Sequence, residues 1–325
     1  MLEFKKDGLK AAIFLAPSML LMLVFTFWPI INAVIMAFLE DYSYLGTKAI
    51  DPVTGEFMKD PNRYDYFISG DFAGIGFKNF VTVLTDPLFW TAVRNTALMV
   101  IISVPVTVLL GLAIAVGMNS IKKLQGVYQI VFFLPYVTNT IALGLVFRSI
   151  FHVDTGLINE LFDLSYAWVH VGNTFWRAFF VLMVYTVWDG LAFKIIVFLS
   201  GLQSIDKQYY QAAQIDATPK GRVFSKITVP LLSPMILYIT ITSFIGAFKA
   251  YSSVIAIFET GGFGPKGDEK QLYTIVGYIY DVIGGTDGNT TYPFGKGAAA
   301  SIILFAIIML ITLVQFQVSK KRVHY

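Results

Sequence analysis

Six long apolar runs decide what this chain can fold into. They lie near 11–39, 92–118, 127–150, 178–201, 231–256 and 297–318. About 20 apolar residues cross the hydrocarbon of a bilayer. Inside it the backbone must satisfy its own hydrogen bonds, which a helix does. The runs therefore predict an all-α polytopic membrane protein with six transmembrane helices in a single domain, 1–325. Composition agrees, with 56% hydrophobic and 14% charged residues, where soluble domains carry about 25% charged. Pro17, Pro29, Pro105 and Pro135 fall inside the first three runs. Neighbouring helices and waters can take up the freed carbonyls, so local kinks are expected and no broken span.

Several functions are excluded early. The chain has no Cys, and its three His (His152, His170, His324) show no metal-ligand spacing, so neither a disulfide framework nor a zinc site is expected. A net charge of +3 gives no argument for nucleic acid. A phosphate-binding loop needs GxxxxGK followed by Ser or Thr. Gly295-Lys296 is followed by Gly297, so any energy input is expected from another chain or from an ion gradient. Lys5, Lys6 and Lys10 precede a first run far longer than the roughly 7–15 residues of a signal-peptide core. That run is expected to stay as a helix.

Short basic segments orient the helices. Lys5, Lys6, Lys10, Lys122, Lys123, Lys207, Lys220, Arg222, Lys226, Lys320, Lys321 and Arg322 fall on one side, together with both termini. The positive-inside rule makes that side cytoplasmic. The long loop 40–91, with Asp51, Asp60, Asp65 and Asp71 among its acids, then faces outward. It and the 261–293 loop are candidate docks for an external protein.

The cytoplasmic loop 202–230 is too polar to span a membrane. Lys207–Ile215 has helical spacing, with Tyr209, Ala212 and Ala213 at i, i+3 and i+4. Thr218 suits an N-cap and Pro219 a first helical position. A second short helix would carry Val223, Phe224 and Ile227 on one face and end at Pro230. Two coverings for this helix–turn–helix stay open, lipid headgroups and a partner's groove.

At this loop the chain resembles a known family. Gln211-Ala212-Ala213-Gln214-Ile215-Asp216-Ala217, followed by Phe224, Ile227, Pro230 and Pro234, is similar to the EAA motif of permease subunits in binding-protein-dependent ABC importers. Further stretches resemble the same family in order. They are Phe77-Lys78-Asn79-Phe80 with Asp86-Pro87, Leu202-Gln203-Ser204-Ile205, Gly246 to Tyr251 with Thr260-Gly261-Gly262 and Pro265, and Phe294 to Ala300. The branch resembled is the sugar type, the maltose and glycerol-phosphate permeases. The resemblance implies the type I importer permease fold, with the cytoplasmic loop as its coupling helix–turn–helix. It implies a second related permease, two ATPase subunits that bind ATP and Mg, an extracellular or periplasmic solute-binding protein, and a bacterial or archaeal cytoplasmic membrane. It assigns the ATPase contact to Tyr210, Gln211, Ala212, Ala213, Asp216, Ala217 and Phe224.

The chain departs from the motif in three places. Gln211 replaces Glu, so an ion pair with an ATPase Arg cannot form. Ala217 replaces Gly and lacks its free access to positive φ, and Thr218 replaces the following Ala. The turn is therefore expected to be set by Thr218-Pro219, and the partner permease to carry the stronger coupling loop.

Charges inside apolar runs are functional candidates by default. They are Asp189 and Lys194 in the fourth run and Lys249 in the fifth. Asp189 and Lys194, five residues apart, are about 140° apart around a helix. Lys249 is a candidate partner for Asp189, and a structural ion pair is the plain alternative. The resemblance places a sugar path at Asp189, Gly190 and Phe193 before the loop, and at Ala247, Phe248, Tyr251 and Ser253 after it. Lys194 and Lys249 join that path by position, and if either lines it the sugar can be acidic. The rival reading is an ion-driven secondary transporter of a small solute, coupled through Asp189 and Lys194. It leaves the 207–228 loop without a role.

Overall fold

The structure is a computed structural model that describes residues 2–40, 42, 74–121, 123, 125–169, 174–258, 272–284 and 293–319. Most of the 40–91 and 261–293 loops lies outside the described residues. So do Thr260-Gly261-Gly262, Pro265, Lys122, His170 and the tail with Lys320, Lys321, Arg322 and His324. Of Lys5 and Lys6 only the backbone is described.

In chain order the helices are α1 (Leu2–Met22), α2 (Trp28–Phe38), α3 (Lys78–Thr85), α4 (Pro87–Ser120), α5 (Gln125–Val137), α6 (Thr140–Ile150) and α7 (Leu157–Phe162). There follow α8 (Phe175–Ser204), α9 (Lys207–Ile215), α10 (Lys220–Val223), α11 (Val229–Leu231), α12 (Ser233–Phe248), α13 (Ser252–Phe258), α14 (Ile275–Gly284) and α15 (Phe294–Ser319). Among the described residues four stretches are long and apolar enough to cross a membrane as one helix: Lys10–Phe38, Pro87–Ser120, Phe175–Ser204 and Phe294–Ser319.

Two prolines are absorbed by π-turns. Leu23–Phe27 and Phe224–Thr228 are π-helical, and each ends two residues before a proline, Pro29 and Pro230. There Trp28 N–H donates to Leu23 O and Val229 N–H to Phe224 O. One extra residue per turn shifts the hydrogen-bond ladder before the residue that cannot donate. Pro230 therefore lies inside a helical run and does not end it. The run ends at Leu232, and Lys220–Leu231 meets Ser233–Phe248 at 66°.

Two expected spans are broken, against the expectation of kinks alone. Run 127–150 is split into α5 and α6, which meet at 97°. Pro135 sits three residues before the break, and Asn139 caps the new helix, accepting from Ile141 N (2.8 Å) and Ala142 N (3.3 Å). Run 231–256 is split into α12 and α13 by a turn over 249–251, where Lys249 N donates to Gly246 O and Ala250 N to Ala247 O.

The chain forms two compact units, residues 1–87 with 279–305, and residues 88–278 with 306–325. In the first, Leu39–Glu40 pairs antiparallel with Gly74–Ile75. Buried Asn79 donates to Ala37 O (3.1 Å) and Leu39 O (2.7 Å), and Lys296 Nζ lies 2.9 Å from Asp86 Oδ2. In the second, α4 and α8 carry long buried rows, that of α8 including Tyr185, Ile195 and Phe198. Buried Asn95 of α4 donates to Tyr273 O (3.2 Å), and Thr96 Oγ1 accepts from Ile275 N (3.0 Å). Each side-chain group meets a backbone group that lacks a helical partner, as buried polar atoms require.

Candidate functional site

The second unit holds a cavity of about 540 Å³. Its walls come from α4, α8, α12 and the two breaks. Tyr136 and Thr140 flank the α5–α6 break, while Lys249, Ala250 and Tyr251 form the α12–α13 break. Non-helical backbone at membrane depth is tolerated where it lines a cavity, and that is where both breaks lie. The local signals for them are Pro135 with Asn139 in one case and the polar Lys249-Ala250-Tyr251-Ser252 stretch in the other.

Eight residues placed on the sugar path line this cavity: Asp189, Gly190, Phe193, Lys194, Ala247, Lys249, Tyr251 and Ser253. Phe248 does not. It is buried and turned into the packing of α12. The candidate pair of Asp189 with Lys249 is not made, for no ion pair joins them among the described residues. Lys194 Nζ donates to Gly190 O on its own helix at 2.9 Å. Phe193 stacks on Tyr136, ring centroids 5.9 Å apart, so one wall presents aromatic faces. Tyr185 reaches back to Thr140 O at 3.4 Å.

The α4 wall was not foreseen. Ser103 and Thr107 line the cavity, four residues apart and hence on one helical face. They are the only hydroxyl residues between 97 and 118, which is the signal that marks them. Thr107 Oγ1 donates to Ser103 O at 2.7 Å, while buried Ser103 Oγ has no hydrogen-bond partner among the described residues. The cavity thus combines hydroxyls, aromatic faces, one carboxylate and two ammonium groups, a set suited to a polyhydroxylated ligand with apolar C–H faces.

The loop beyond α8 is built locally. Asp206 caps α9, accepting from Gln208 N at 2.9 Å. At the other end Ala217 N donates to Gln214 O (3.1 Å) and Thr218 N to Ala213 O (2.9 Å), with Ala217 at φ 48. This is a Schellman closure, and its left-handed position is held by an alanine. The expected replacement of that turn by Thr218-Pro219 does not occur. With the Thr218 N–H committed to α9, Pro219 is the N-cap residue of α10, in place of Thr218. Tyr210 Oη lies 3.2 Å from Thr228 Oγ1 and ties the first helix to the return segment.

The assigned ATPase contact divides between two surfaces. Tyr210, Ala213, Ala217 and Phe224 line a second cavity of about 550 Å³ under the loop, together with Val116 and Asn119 at the end of α4. Gln211, Ala212 and Asp216 are exposed on the outer face. Tyr209, Ala212 and Ala213 do not share one environment: Ala213 is buried and the other two are exposed. Ile215, 86% exposed, stands out on the outer face with Tyr209.

Residues 107–324, which include most of the cavity wall and the whole loop, match the family described as "Binding-protein-dependent transport system inner membrane component". The chain belongs to this family. The permease is 28% identical to the lactose transport system permease protein LacF of Rhizobium radiobacter over 318 residues, covering 95% of this chain and 94% of that one. It is 29% identical over 316 residues to the arabinooligosaccharides transport system permease protein AraP of Bacillus subtilis, covering 94% and 87%. Its fold matches a chain in the crystal structure of a bacterial ABC transporter involved in the import of the acidic polysaccharide alginate. The TM-score is 0.73 at 20% identity, over 98% of this permease and 97% of that chain. At that identity the likeness speaks for the fold alone.

Proposed function

We propose that this permease is the membrane subunit of an ABC importer that carries a sugar or oligosaccharide into the cell. The observation that carries the reading is the cavity. It sits between two helix breaks, and hydroxyl and aromatic side chains meet there in a membrane-spanning protein. The relatives transport lactose and arabinooligosaccharides by name. The permease itself supplies no phosphate-binding loop. Its work is taken to be coupled to two ATPase subunits, each held by one coupling loop of a permease pair, with substrate handed over by an external solute-binding protein. Lys207, Lys220, Arg222 and Lys226 support a cytoplasmic side of the cytoplasmic membrane for the 202–230 loop, and for both termini with it.

The geometry suggests how motion passes. α8 is one unbroken helix from the cavity wall at Asp189 to Ser204, about 22 Å along its axis. A rigid rod with substrate contacts at its middle and the coupling loop at its end couples displacement of one to the other. Substrate stimulates turnover to the extent that it binds the ATP-clamped state more tightly than the resting one.

The test is to tag the permease, solubilise it from its native membrane and identify what co-purifies, then screen saccharides for stimulated ATP hydrolysis after reconstitution. Recovery of an ATPase and a second permease, with saccharide-dependent hydrolysis, is the expected result. Transport by the lone chain, driven by an ion gradient, would overturn it.

A further inference from the structure

Lys194 lies in a slot shaped by two glycines. The residue is 8% exposed. A Cβ added at Gly111 of α4 would come 3.0 Å from Lys194 Cβ, and one added at Gly190 would come 3.1 Å from Lys194 Nζ. The missing side chains let the lysine fold back along α8, where its ammonium reaches Gly190 O. An ammonium carries three donors. This bond uses one, and no other hydrogen bond or ion pair to Lys194 is found among the described residues. Asp189, one of the cavity's three charged residues, interacts with the Lys194 charge through space but makes no hydrogen bond or ion pair among the described residues. The cavity lining thus holds Lys194, Lys249 and Asp189, an excess of one positive charge.

A buried cation whose nearest carboxylate, Asp189, stays beyond ion-pair distance is costly, and intramembrane charges are kept where they serve a pathway. Gly190 O supplies a dipole and no charge. An anion in direct contact with the ammonium is not among the described residues, and the cavity is the space it can enter. A neutral hydroxyl would satisfy donors but leave the charge uncompensated. An anion does both, through hydrogen bonds about twice as strong as neutral ones. Asp189, about 140° away around α8, is then left to accept from sugar hydroxyls, as is the unpartnered Ser103 Oγ.

We propose that Lys194 is the specificity-determining residue of this cavity and that it receives an acidic group, a carboxylate, sulfonate or phosphate, carried by the transported saccharide. The proposal rests on the reading of the cavity as the saccharide path, and the experiment separates the two. The complete transporter, purified with its partner chains, is placed in ATP-loaded proteoliposomes with its binding protein. Uptake is measured for neutral di- to pentasaccharides and for uronate oligosaccharides of equal length. Wild type should take up the preferred uronate with a kcat/KM at least tenfold above its neutral counterpart. Lys194→Gln should lower that ratio at least tenfold, Lys194→Arg should keep it within about threefold, and Asp189→Asn should raise it. A wild-type preference for neutral saccharides, or a ratio that Lys194→Gln leaves unchanged, overturns the proposal and leaves sugar import standing. If Lys194→Gln does not assemble, loss of the preference in Lys194→Arg or a lowered ratio in Asp189→Asn overturns it equally. Uptake of no saccharide of either kind overturns the underlying reading and this inference together.

Discussion

The cavity and the coupling loop stand at two places on the same helix and are made in opposite ways. The cavity draws its walls from five segments between Ser103 and Ser253, and its charged groups make few hydrogen bonds or ion pairs among the described residues. The loop is closed by contacts within its own segment. Asp206 caps α9, a Schellman turn ends it, and a Tyr210–Thr228 hydrogen bond spans 18 residues. A locally closed loop can keep its shape while it is pushed. A cavity with unsatisfied groups and two helix breaks has energy left for a ligand to alter. That division is what a part relaying force and a part sensing substrate each need.

The largest expected effect tests the relay. Ile215 is almost fully exposed at the end of α9, so Ile215→Asp should change the permease's own stability by less than about 0.5 kcal/mol. If Tyr209, Ala212 and Ile215 form a docking face, the same change should weaken ATPase association by about 2 kcal/mol or more, roughly 30-fold, as loss of an interface anchor does. The readout is the ATPase activity that co-purifies with the tagged permease. Undiminished recovery would mean that this face lies on lipid headgroups, and the contrast between relay and sensor would lose its basis.

A smaller effect tests the sensor side. The α5–α6 break depends on the Asn139 side chain, which satisfies two backbone donors at the new helix start. Asn139→Ala should cost about 1–2 kcal/mol, the usual value of a lost cap, seen as a lower unfolding temperature of the purified complex. Asn139→Asp, which keeps the acceptor, should recover most of it. If Asn139→Ala leaves stability unchanged, the break is held by tertiary packing and the cavity wall is stiffer than argued above.

Legibility followed the same division. The limits of α9, Lys207–Ile215, can be read from the residues because periodicity and an Asp cap act over a few positions. The cavity cannot be assembled that way. Asp189 and Lys194 announce themselves as charges in an apolar run, but nothing local links them to Ser103, Thr140 or Tyr251. The broken spans were obscured for another reason. Averaged hydropathy passes smoothly through 138–139, while the helix is decided there by one proline and one capping asparagine. At Thr218-Pro219 the residue types suited a cap, yet a competing hydrogen bond from Thr218 N to Ala213 O moved the cap by one residue.

The smallest effect concerns the turn itself. Ala217 holds a left-handed conformation that costs a residue with a Cβ about 1–2 kcal/mol. Two Schellman hydrogen bonds hold it there. Ala217→Gly removes that strain but restores about 0.4–1 kcal/mol of unfolded-chain entropy, so the net gain should be near 0.5–1 kcal/mol. Hydrogen exchange over 207–223, followed by mass spectrometry, should then slow by roughly two- to fivefold, since 1.4 kcal/mol corresponds to tenfold. The sign matters more than the size. A loop stiffened by Gly at 217 should transmit force at least as well, leaving substrate-stimulated hydrolysis equal or higher. A fall in hydrolysis together with slower exchange would show that the strained alanine is used as compliance, and that the loop is less rigid than the cavity it serves.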